Sequence, residues 1–283
     1  MKNIKLRNGF EIPPIGFGSY KIPAESEGTG IIVDALKAGY RLIDTATMYK
    51  NEDIVGEGLR RAFGEGIATR DQVTVTTKVA NPDRGYDSTM RAFDKSLKEL
   101  GLDQIDLYLI HWPASEAKEP NWRTINSDTW RALETLYKDG RVRAIGVSNF
   151  MPVHLEALSE TATILPMVNQ IEFHPGFMQR DVLEWCDSHE IVVEGWSPLG
   201  RTRVLTNPLL EEIAERLGRS VAQICLRWAV QHSVVPIPKS LHYDRMKENI
   251  DIFDFTLSPE EMAAIDSMPQ TGESGLNPDT ITF

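Results

Sequence analysis

Short apolar segments rich in β-branched residues alternate along the chain with stretches whose apolar residues recur at helical spacing. The segments predicted as strands are 15–20, 41–46, 72–79, 105–112, 143–149, 167–173, 192–199 and 233–240. The stretches predicted as helices are 26–39, 52–63, 90–101, 128–140, 180–189, 208–218 and 220–231, and a further helix is expected to begin near His242. Strands that are apolar throughout and separated by helices indicate parallel βα units, with a sheet covered on both faces.

This pattern favours a (β/α)8 barrel, the TIM barrel fold. A β-hairpin precedes it, because IKL and FEI flank the turn sequence Arg7-Asn8-Gly9, and 208–218 is an extra helix on the C-terminal side. The competing architecture is a doubly wound Rossmann sheet, which requires a GxGxxG turn. GFGSYK and GEGLRR place Lys21 and Arg61 where the third glycine belongs. We therefore expect residues 1–283 to form one barrel domain.

Composition and charge narrow the class of protein. Of the 283 residues, 41% are hydrophobic and 25% are charged, which is typical of a globular protein with a large core. The net charge of −11, without a basic tail, argues against nucleic acid and membranes as partners. Cys186 and Cys225 lie outside any metal-ligand spacing, and the N-terminal sequence lacks the apolar core of a signal peptide. We expect a cytoplasmic monomer that binds no metal.

The predicted carboxyl ends of the strands carry most of the candidate chemistry. Polar and aromatic side chains end or follow these strands: Asp44, Tyr49, Lys78, His111, Trp112, Ser148, Asn149, Gln170, Trp196, Ser197, Lys239 and Ser240. Each has a simple structural explanation by itself, such as a solvated lysine, a packed histidine or a turn asparagine. Because active sites of (β/α)8 barrels form at this end of the strands, their shared location favours an active site.

Four of these side chains have the chemistry of a proton donor and its supports. A free tyrosine titrates near about 10 and is a poor acid at neutral pH. We expect the ammonium of Lys78 to stabilise the phenolate of Tyr49 and to lower its pKa, while Asp44 keeps Lys78 protonated and oriented. His111 would hydrogen-bond a substrate carbonyl beside the phenol. In RLIDTATMYK, Asp44 is therefore expected to keep Lys78 charged and oriented, and Lys78 is expected to stabilise the phenolate of Tyr49.

In their order, these motifs resemble those of the aldo-keto reductases. GYRLIDTATMY, TTKV, LYLIHWP, IGVSNF, VNQIEFHP and IPKS follow one another as in that family, over about residues 4–280. The chain is most similar to the short bacterial branch that includes the 2,5-diketogluconate reductases. The resemblance implies an NADPH-dependent oxidoreductase that reduces aldehydes or ketones by direct hydride transfer, without a metal. Keto-sugars and keto-acids are candidate substrates.

The resemblance also implies a role for individual residues. Tyr49 would be the general acid, supported by Asp44, Lys78 and His111. The residues that would hold NADPH or NADP+ are Ser148, Asn149 and Gln170 at the carboxamide, Trp196 on the nicotinamide ring with Ser197 beside it, Lys239, Ser240 and Arg245 at the 2′-phosphate, and Glu248 and Asn249 at the adenine. The small carbonyl substrate would lie among Tyr20, Met48, Tyr49, His111 and Trp112.

The chain departs from the family pattern at one wall of the substrate pocket. Many relatives carry a tryptophan just after the lysine, where this chain has Val79-Ala80, which suggests a roomier pocket.

Two other functions are alternatives to carbonyl reduction. One alternative is an aldolase that uses Lys78 as a Schiff base, which requires a lysine of lowered pKa in an apolar site. The other is a non-catalytic barrel that binds nucleotide, for which loss of Tyr49, Lys78 or His111 would be the sign.

Overall fold

The computed structural model describes residues 2–23, 25–270 and 273–281. Within them the strands are β1 Ile4–Lys5, β2 Glu11–Ile12, β3 Phe17–Gly18, β4 Leu42–Asp44, β5 Thr74–Val79, β6 Ile105–Ile110, β7 Val142–Ser148, β8 Val168–Glu172, β9 Val192–Trp196 and β10 Val234–Ile237. The α-helices are α1 Ser26–Ala38, α2 Glu52–Gly64, α3 Tyr86–Leu100, α4 Trp122–Lys138, α5 Pro152–Ser159, α6 Arg180–Ser188, α7 Pro208–Leu217, α8 Val221–Gln231, α9 Tyr243–Ile250 and α10 Pro259–Asp266.

The strands β3 to β10 form a parallel sheet in which each strand pairs with the next one along the chain. Backbone hydrogen bonds join its first and last strands: the N–H groups of Gly16 and Gly18 donate to the carbonyls of Pro236 and Pro238, both at 3.0 Å. A Cβ atom added at Gly16 would lie 2.9 Å from the Leu42 side chain, so glycine permits the close approach of the strands here. The predicted (β/α)8 barrel is confirmed.

The barrel is built from the buried runs that the sequence pattern identified. Every residue of β5 and β6 is buried, as expected for parallel strands covered on both faces. The hydrophobic core is a continuous cluster that extends from Leu6 under the hairpin to Ile265 in α10. The predicted hairpin is confirmed, with β1 and β2 paired antiparallel. The expectation of one domain for the whole chain stays a prediction.

The helices agree with the pattern in position, but two begin earlier and two were missed. Helix α3 begins at Tyr86, four residues before the predicted start, and α4 begins at Trp122, six residues before its predicted start. Helix α5 is short and starts on Pro152. Helix α10 follows a capping box, in which the N–H of Glu261 donates to the Ser258 hydroxyl, so the segment Ser258–Glu261 held a readable start signal.

The turn between β4 and α2 also differs from the simplest interpretation of its sequence. Asn51 occupies the position before α2, but its side chain makes no capping hydrogen bond there. Its amide instead donates to the carbonyl of Ser19 at 2.9 Å and accepts from the hydroxyl of Thr45 at 3.2 Å. Asn51 therefore ties the end of β3 to the end of β4, below the loop that carries Tyr49.

No helix in the described part of the chain combines the length and the apolar character needed to cross a bilayer. The same residues contain no group of three or more His, Cys, Asp and Glu side chains that could hold a metal ion.

Candidate active site

The acid–base residues predicted from the sequence meet at one end of the barrel. Asp44 is the last residue of β4, Lys78 is the fifth residue of β5, and His111 directly follows β6. In the strand register, Asp44 lies opposite Thr76, two positions before Lys78. Because side chains alternate along a strand, Thr76 and Lys78 point to the same face. The carboxylate and the ammonium can therefore meet inside the barrel.

Asp44 and Lys78 form a buried ion pair. The Nζ atom of Lys78 donates to Oδ1 of Asp44 at 2.6 Å and to the carbonyl of Thr45 at 2.9 Å, and the lysine is fully buried. Burial alone would lower the pKa of Lys78, but the charge of Asp44, followed by that of Tyr49, outweighs it and raises the pKa. Lys78 is therefore an ammonium at neutral pH, held in one orientation.

Tyr49 ends a short 3-10 helix, Thr47–Tyr49, which follows β4. Its ring centre lies 5.2 Å from Nζ of Lys78 and 5.6 Å from the centre of the His111 ring. Burial raises the pKa of Tyr49 to about 12, and the charge of Lys78 lowers it only in part. The expected lowering by Lys78 is therefore present, but desolvation of the phenolate exceeds it.

His111 is neutral in this environment. Burial lowers its pKa well below the usual range, and the charge of Lys78 adds to the effect. Its backbone carbonyl accepts a hydrogen bond from the amide of Asn149 at 2.9 Å. Its Nδ1 atom is buried and has no hydrogen-bond partner among the described residues. A neutral imidazole next to Tyr49 can donate a hydrogen bond without adding charge to the site.

The residues predicted to contact a substrate surround this group unequally. Tyr20 is 52% exposed, and its ring centre lies 5.0 Å from that of Tyr49. Met48 precedes Tyr49 in the 3-10 helix and is half-buried, whereas Trp112 is buried directly after His111. Ala80, the small residue that suggested a roomier pocket, is buried directly after β5. Tyr20 is thus the most accessible of these side chains.

A second set of predicted residues is linked by hydrogen bonds across β7, β8 and β9. The hydroxyl of Ser148 donates to the backbone carbonyl of Gln170 at 2.7 Å, and the N–H of Asn149 donates to the same carbonyl at 2.9 Å. The indole N–H of Trp196 donates to Oδ1 of Asn149 at 2.8 Å. These bonds fix the indole relative to the ends of β7 and β8. Ser197 follows Trp196 in the left-handed backbone region, with φ of 50°.

The side chain of Gln170 connects this set to the ion pair and to an acid that the sequence interpretation missed. Its Nε2 donates to Oδ1 of Asp44 and to Oε2 of Glu194, both at 2.8 Å. Glu194 is fully buried in the middle of β9. A carboxylate inside the apolar run VVEGW was the available signal, since such a residue is rarely buried without a reason.

The third set of predicted residues lies after β10, near the start of α9. Lys239 and Arg245 are exposed, Ser240 is buried, and within the described residues neither Lys239 nor Arg245 makes an ion pair. Burial lowers the pKa of Lys239, and the positive charge of Lys21 lowers it further. Lys21 was missed by the sequence interpretation, although it follows the first barrel strand at the same end as Lys239. Glu248 and Asn249 lie in the last turn of α9, exposed and buried respectively.

Comparison with known proteins identifies the family. A sequence profile described as the Aldo/keto reductase family matches residues 14–269. The chain belongs to the aldo/keto reductase family. A glyoxal reductase of Bacillus subtilis is 49% identical over 280 residues, covering 99% of this chain and 97% of that protein. A 9,11-endoperoxide prostaglandin H2 reductase of Trypanosoma cruzi is 44% identical over 279 residues, covering 98% and 94%.

Solved structures share the fold over all or nearly all of the chain. A mutant of the protein Gox0644 in complex with NADPH has a TM-score of 0.90 and 40% identity, covering 100% of this chain and 99% of that one. An aldo-keto reductase of Bombyx mori in complex with NADP has a TM-score of 0.87 and 36% identity, covering 95% and 93%. The expectation of an NADP-dependent aldo-keto reductase is therefore confirmed, whereas the narrower likeness to 2,5-diketogluconate reductases stays a prediction.

Proposed function

We propose that this aldo-keto reductase reduces aldehydes or ketones to alcohols with NADPH, and that Tyr49 is the general acid. The observation that carries the proposal is the position of the Tyr49 phenol beside both the Lys78 ammonium and the His111 ring. An acid, a cation and a neutral hydrogen-bond donor thus converge where a carbonyl oxygen would gain negative charge.

Tyr49 donates its proton to the carbonyl oxygen as that oxygen becomes an alkoxide. Its pKa of about 12 keeps the phenol protonated at neutral pH, so the acid is in its active form before the reaction. The phenolate left behind is stabilised by the charge of Lys78, whose own charge is balanced by Asp44. The neutral imidazole of His111 orients the carbonyl oxygen by a hydrogen bond.

NADPH would supply the hydride, and the residues after β3 and at the ends of β7 to β10 would hold it. Its negatively charged phosphates match the exposed cations Lys21, Lys239 and Arg245, and Lys21 is close enough to Lys239 for its charge to lower the pKa of Lys239. Trp196, whose indole is fixed by Asn149, offers a flat surface for the nicotinamide ring. Ser148 and Gln170 would hold the carboxamide, with Ser197 beside the ring.

Selectivity for NADPH over NADH would come from the same exposed cations. Lys239, Ser240 and Arg245 would hold the 2′-phosphate, which NADH lacks, and Glu248 with Asn249 would contact the adenine. A protein of net charge −11 needs such a local basic cluster to bind a polyanion. This works because salt confines charge effects to roughly 8 Å at physiological ionic strength.

For the substrate, we propose small aldehydes, including 2-oxoaldehydes, before keto-sugars and keto-acids. A relative with 49% identity is named a glyoxal reductase. The proposed pocket contains the aromatic side chains of Tyr20, Tyr49 and Trp112 together with Met48, and these leave little to balance a substrate carboxylate. A small residue at Ala80 would leave room for a bulkier carbonyl as well. We expect the chain to act as a monomer on free small molecules.

The two alternative functions are less consistent with the site. A Schiff-base aldolase needs a lysine of lowered pKa, but the carboxylate of Asp44 raises the pKa of Lys78. A non-catalytic nucleotide-binding barrel would have no need of the buried ion pair beside Tyr49, and all of Tyr49, Lys78 and His111 are present.

The experiment is a carbonyl-dependent assay of cofactor oxidation. Purified protein is mixed with NADPH or NADH and a panel that contains glyoxal, a simple aromatic aldehyde, a keto-sugar and a keto-acid. We expect oxidation of NADPH with the aldehydes, and a lower catalytic efficiency with NADH. No oxidation of either cofactor with any carbonyl would contradict the proposed function, and equal efficiency with both cofactors would contradict the proposed selectivity.

A further inference from the structure

Glu194 is an acid without an evident place in the proposed reaction. It lies in the middle of β9, and none of its side chain is exposed. One of its oxygens, Oε2, accepts a hydrogen bond from Gln170. The other, Oε1, is buried and has no hydrogen-bond partner among the described residues. A buried carboxylate oxygen without a partner is costly when the group is ionised, so such an acid is seldom kept for stability alone.

The hydrogen bonds of Gln170 connect Glu194 directly to the ion pair. Both donors of the Gln170 amide are used, one for Oδ1 of Asp44 and the other for Oε2 of Glu194. Oδ1 of Asp44 also accepts from Lys78. Two carboxyl groups therefore share a neutral amide between them, and one of them holds the lysine beside Tyr49.

The charges that act on Glu194 come from this same group. Burial raises the pKa of Glu194 to about 7, the charge of Asp44 adds to the effect, and the hydrogen bond from Gln170 and the charge of Lys78 oppose it. Strand β10, which pairs with β9 on its other side, consists of Val234–Ile237 and has no ionisable side chain. Glu172, further along β8, is engaged by the hydroxyl of Ser274 at 2.6 Å.

We propose that Glu194 is a positioning residue for the acid–base group. Its carboxyl group fixes the Gln170 amide against Asp44, and its negative charge, when the group is ionised, raises the pH at which Tyr49 loses its proton. The inference rests on the proposed function of Tyr49. It adds an ionisable group that does not touch the substrate and acts through Gln170 and Asp44.

The direction of the effect follows from the sign of the charges. Ionised Glu194 adds a negative charge near Lys78, which favours the ammonium and disfavours a second anion on Tyr49. When an alcohol is oxidised, Tyr49 must be a phenolate to accept the proton of the alcohol hydroxyl. Ionised Glu194 therefore raises the pH at which oxidation reaches its full rate, and its removal should lower that pH.

The first test compares pH profiles of alcohol oxidation for the wild type and Glu194→Gln. Glutamine keeps the shape and an acceptor for Gln170 but cannot ionise. We expect the rising limb of kcat/KM for Glu194→Gln to lie lower by about one pH unit, as for one charge at a separation of several ångströms. The control is Glu134→Gln, which neutralises a buried carboxylate in α4 that bonds Thr163, and should leave the limb in place. Superimposable limbs, or a loss of rate without a shift, overturn the proposal.

The second test reads the carboxyl group without using activity. Glutamate labelled at the side-chain carboxyl carbon is incorporated, and the NMR signal that is lost in Glu194→Gln is titrated in the wild type and in Asp44→Asn. We expect this signal to titrate near pH 7 in the wild type and at lower pH in Asp44→Asn, because a neighbouring negative charge is gone. An unchanged titration in Asp44→Asn overturns the coupling. Because the titration needs no substrate, it can fail or succeed independently of the proposed function.

Discussion

The acid–base group (Asp44, Tyr49, Lys78 and His111) and the basic cluster (Lys21, Lys239 and Arg245) differ in whether their charged side chains are buried and paired. At the ends of β4 and β5, Asp44 and Lys78 are buried and paired at 2.6 Å. After β3 and β10, Lys21, Lys239 and Arg245 are exposed and, within the described residues, have no carboxylate partner. The opposite charges of Asp44 and Lys78 balance each other, whereas the positive charges of the basic cluster have no opposite charge beside them among the described residues.

This difference indicates that the two regions affect different properties of the protein. Buried, oriented charges act strongly on a nearby group, because little water lies between them to weaken the field. Exposed cations attract a polyanion but are screened by salt and contribute little when it is absent. We therefore expect changes in the acid–base group to affect turnover and folding, and changes in the basic cluster to affect cofactor affinity.

The largest effect is expected from Lys78→Met. Loss of the ammonium should reduce kcat by about 10²–10⁴-fold, because the phenolate of Tyr49 loses its stabilising charge. It should also cost roughly 3–5 kcal/mol of unfolding free energy, since Asp44 stays buried without a cation. The double variant Asp44→Asn/Lys78→Met should recover part of the stability but not the rate. Lys98→Met, in an exposed part of α3, is the control. A double variant less stable than Lys78→Met in urea unfolding would contradict this account.

A smaller effect, confined to binding, is expected from Arg245→Ala. The loss of one charged hydrogen bond should weaken NADPH binding by about 1.5–3 kcal/mol, or roughly 10- to 150-fold, and leave NADH binding almost unchanged. Fluorescence titration measures both affinities, with Arg131→Ala, an exposed arginine of α4, as the control. Raising the salt concentration should weaken NADPH binding in the wild type more than in Arg245→Ala. Equal losses for the two cofactors would show that Arg245 does not contact the 2′-phosphate.

The smallest effect is on the pH dependence of folding. His111 is neutral in the folded protein because burial lowers its pKa, whereas in the unfolded chain it binds a proton as the pH falls through about 6.5. Its contribution to stability is therefore complete above that pH and is lost as the pH falls, with a slope near about 1.4 kcal/mol per pH unit. His111→Asn should remove this part of the slope, and His242→Asn, at an exposed position, should not. Identical slopes for the wild type and His111→Asn would contradict the neutral, buried state.

Much of this architecture could be predicted from the sequence, because continuous apolar runs such as IDLYLI leave few alternatives to a covered parallel strand. The positions of Asp44, Lys78 and His111 followed from the rule that polar residues at the strand ends share one face of the barrel. The pKa of Tyr49 could not be predicted, because it depends on how far the phenol is buried. Lys21 could have been found by applying the same rule to the first strand, and the acid in VVEGW pointed to Glu194.

The central claim is that Tyr49 donates the proton while the basic cluster binds the cofactor. The most direct measurement is the single-turnover rate of NADPH oxidation by Tyr49→Phe with an aldehyde, taken together with its dissociation constant for NADPH. Tyr137→Phe, in α4 on the outside of the barrel, serves as the control. We predict a rate at least about 10²–10⁴-fold below that of the wild type, with the dissociation constant nearly unchanged. A rate near that of the wild type would contradict the account.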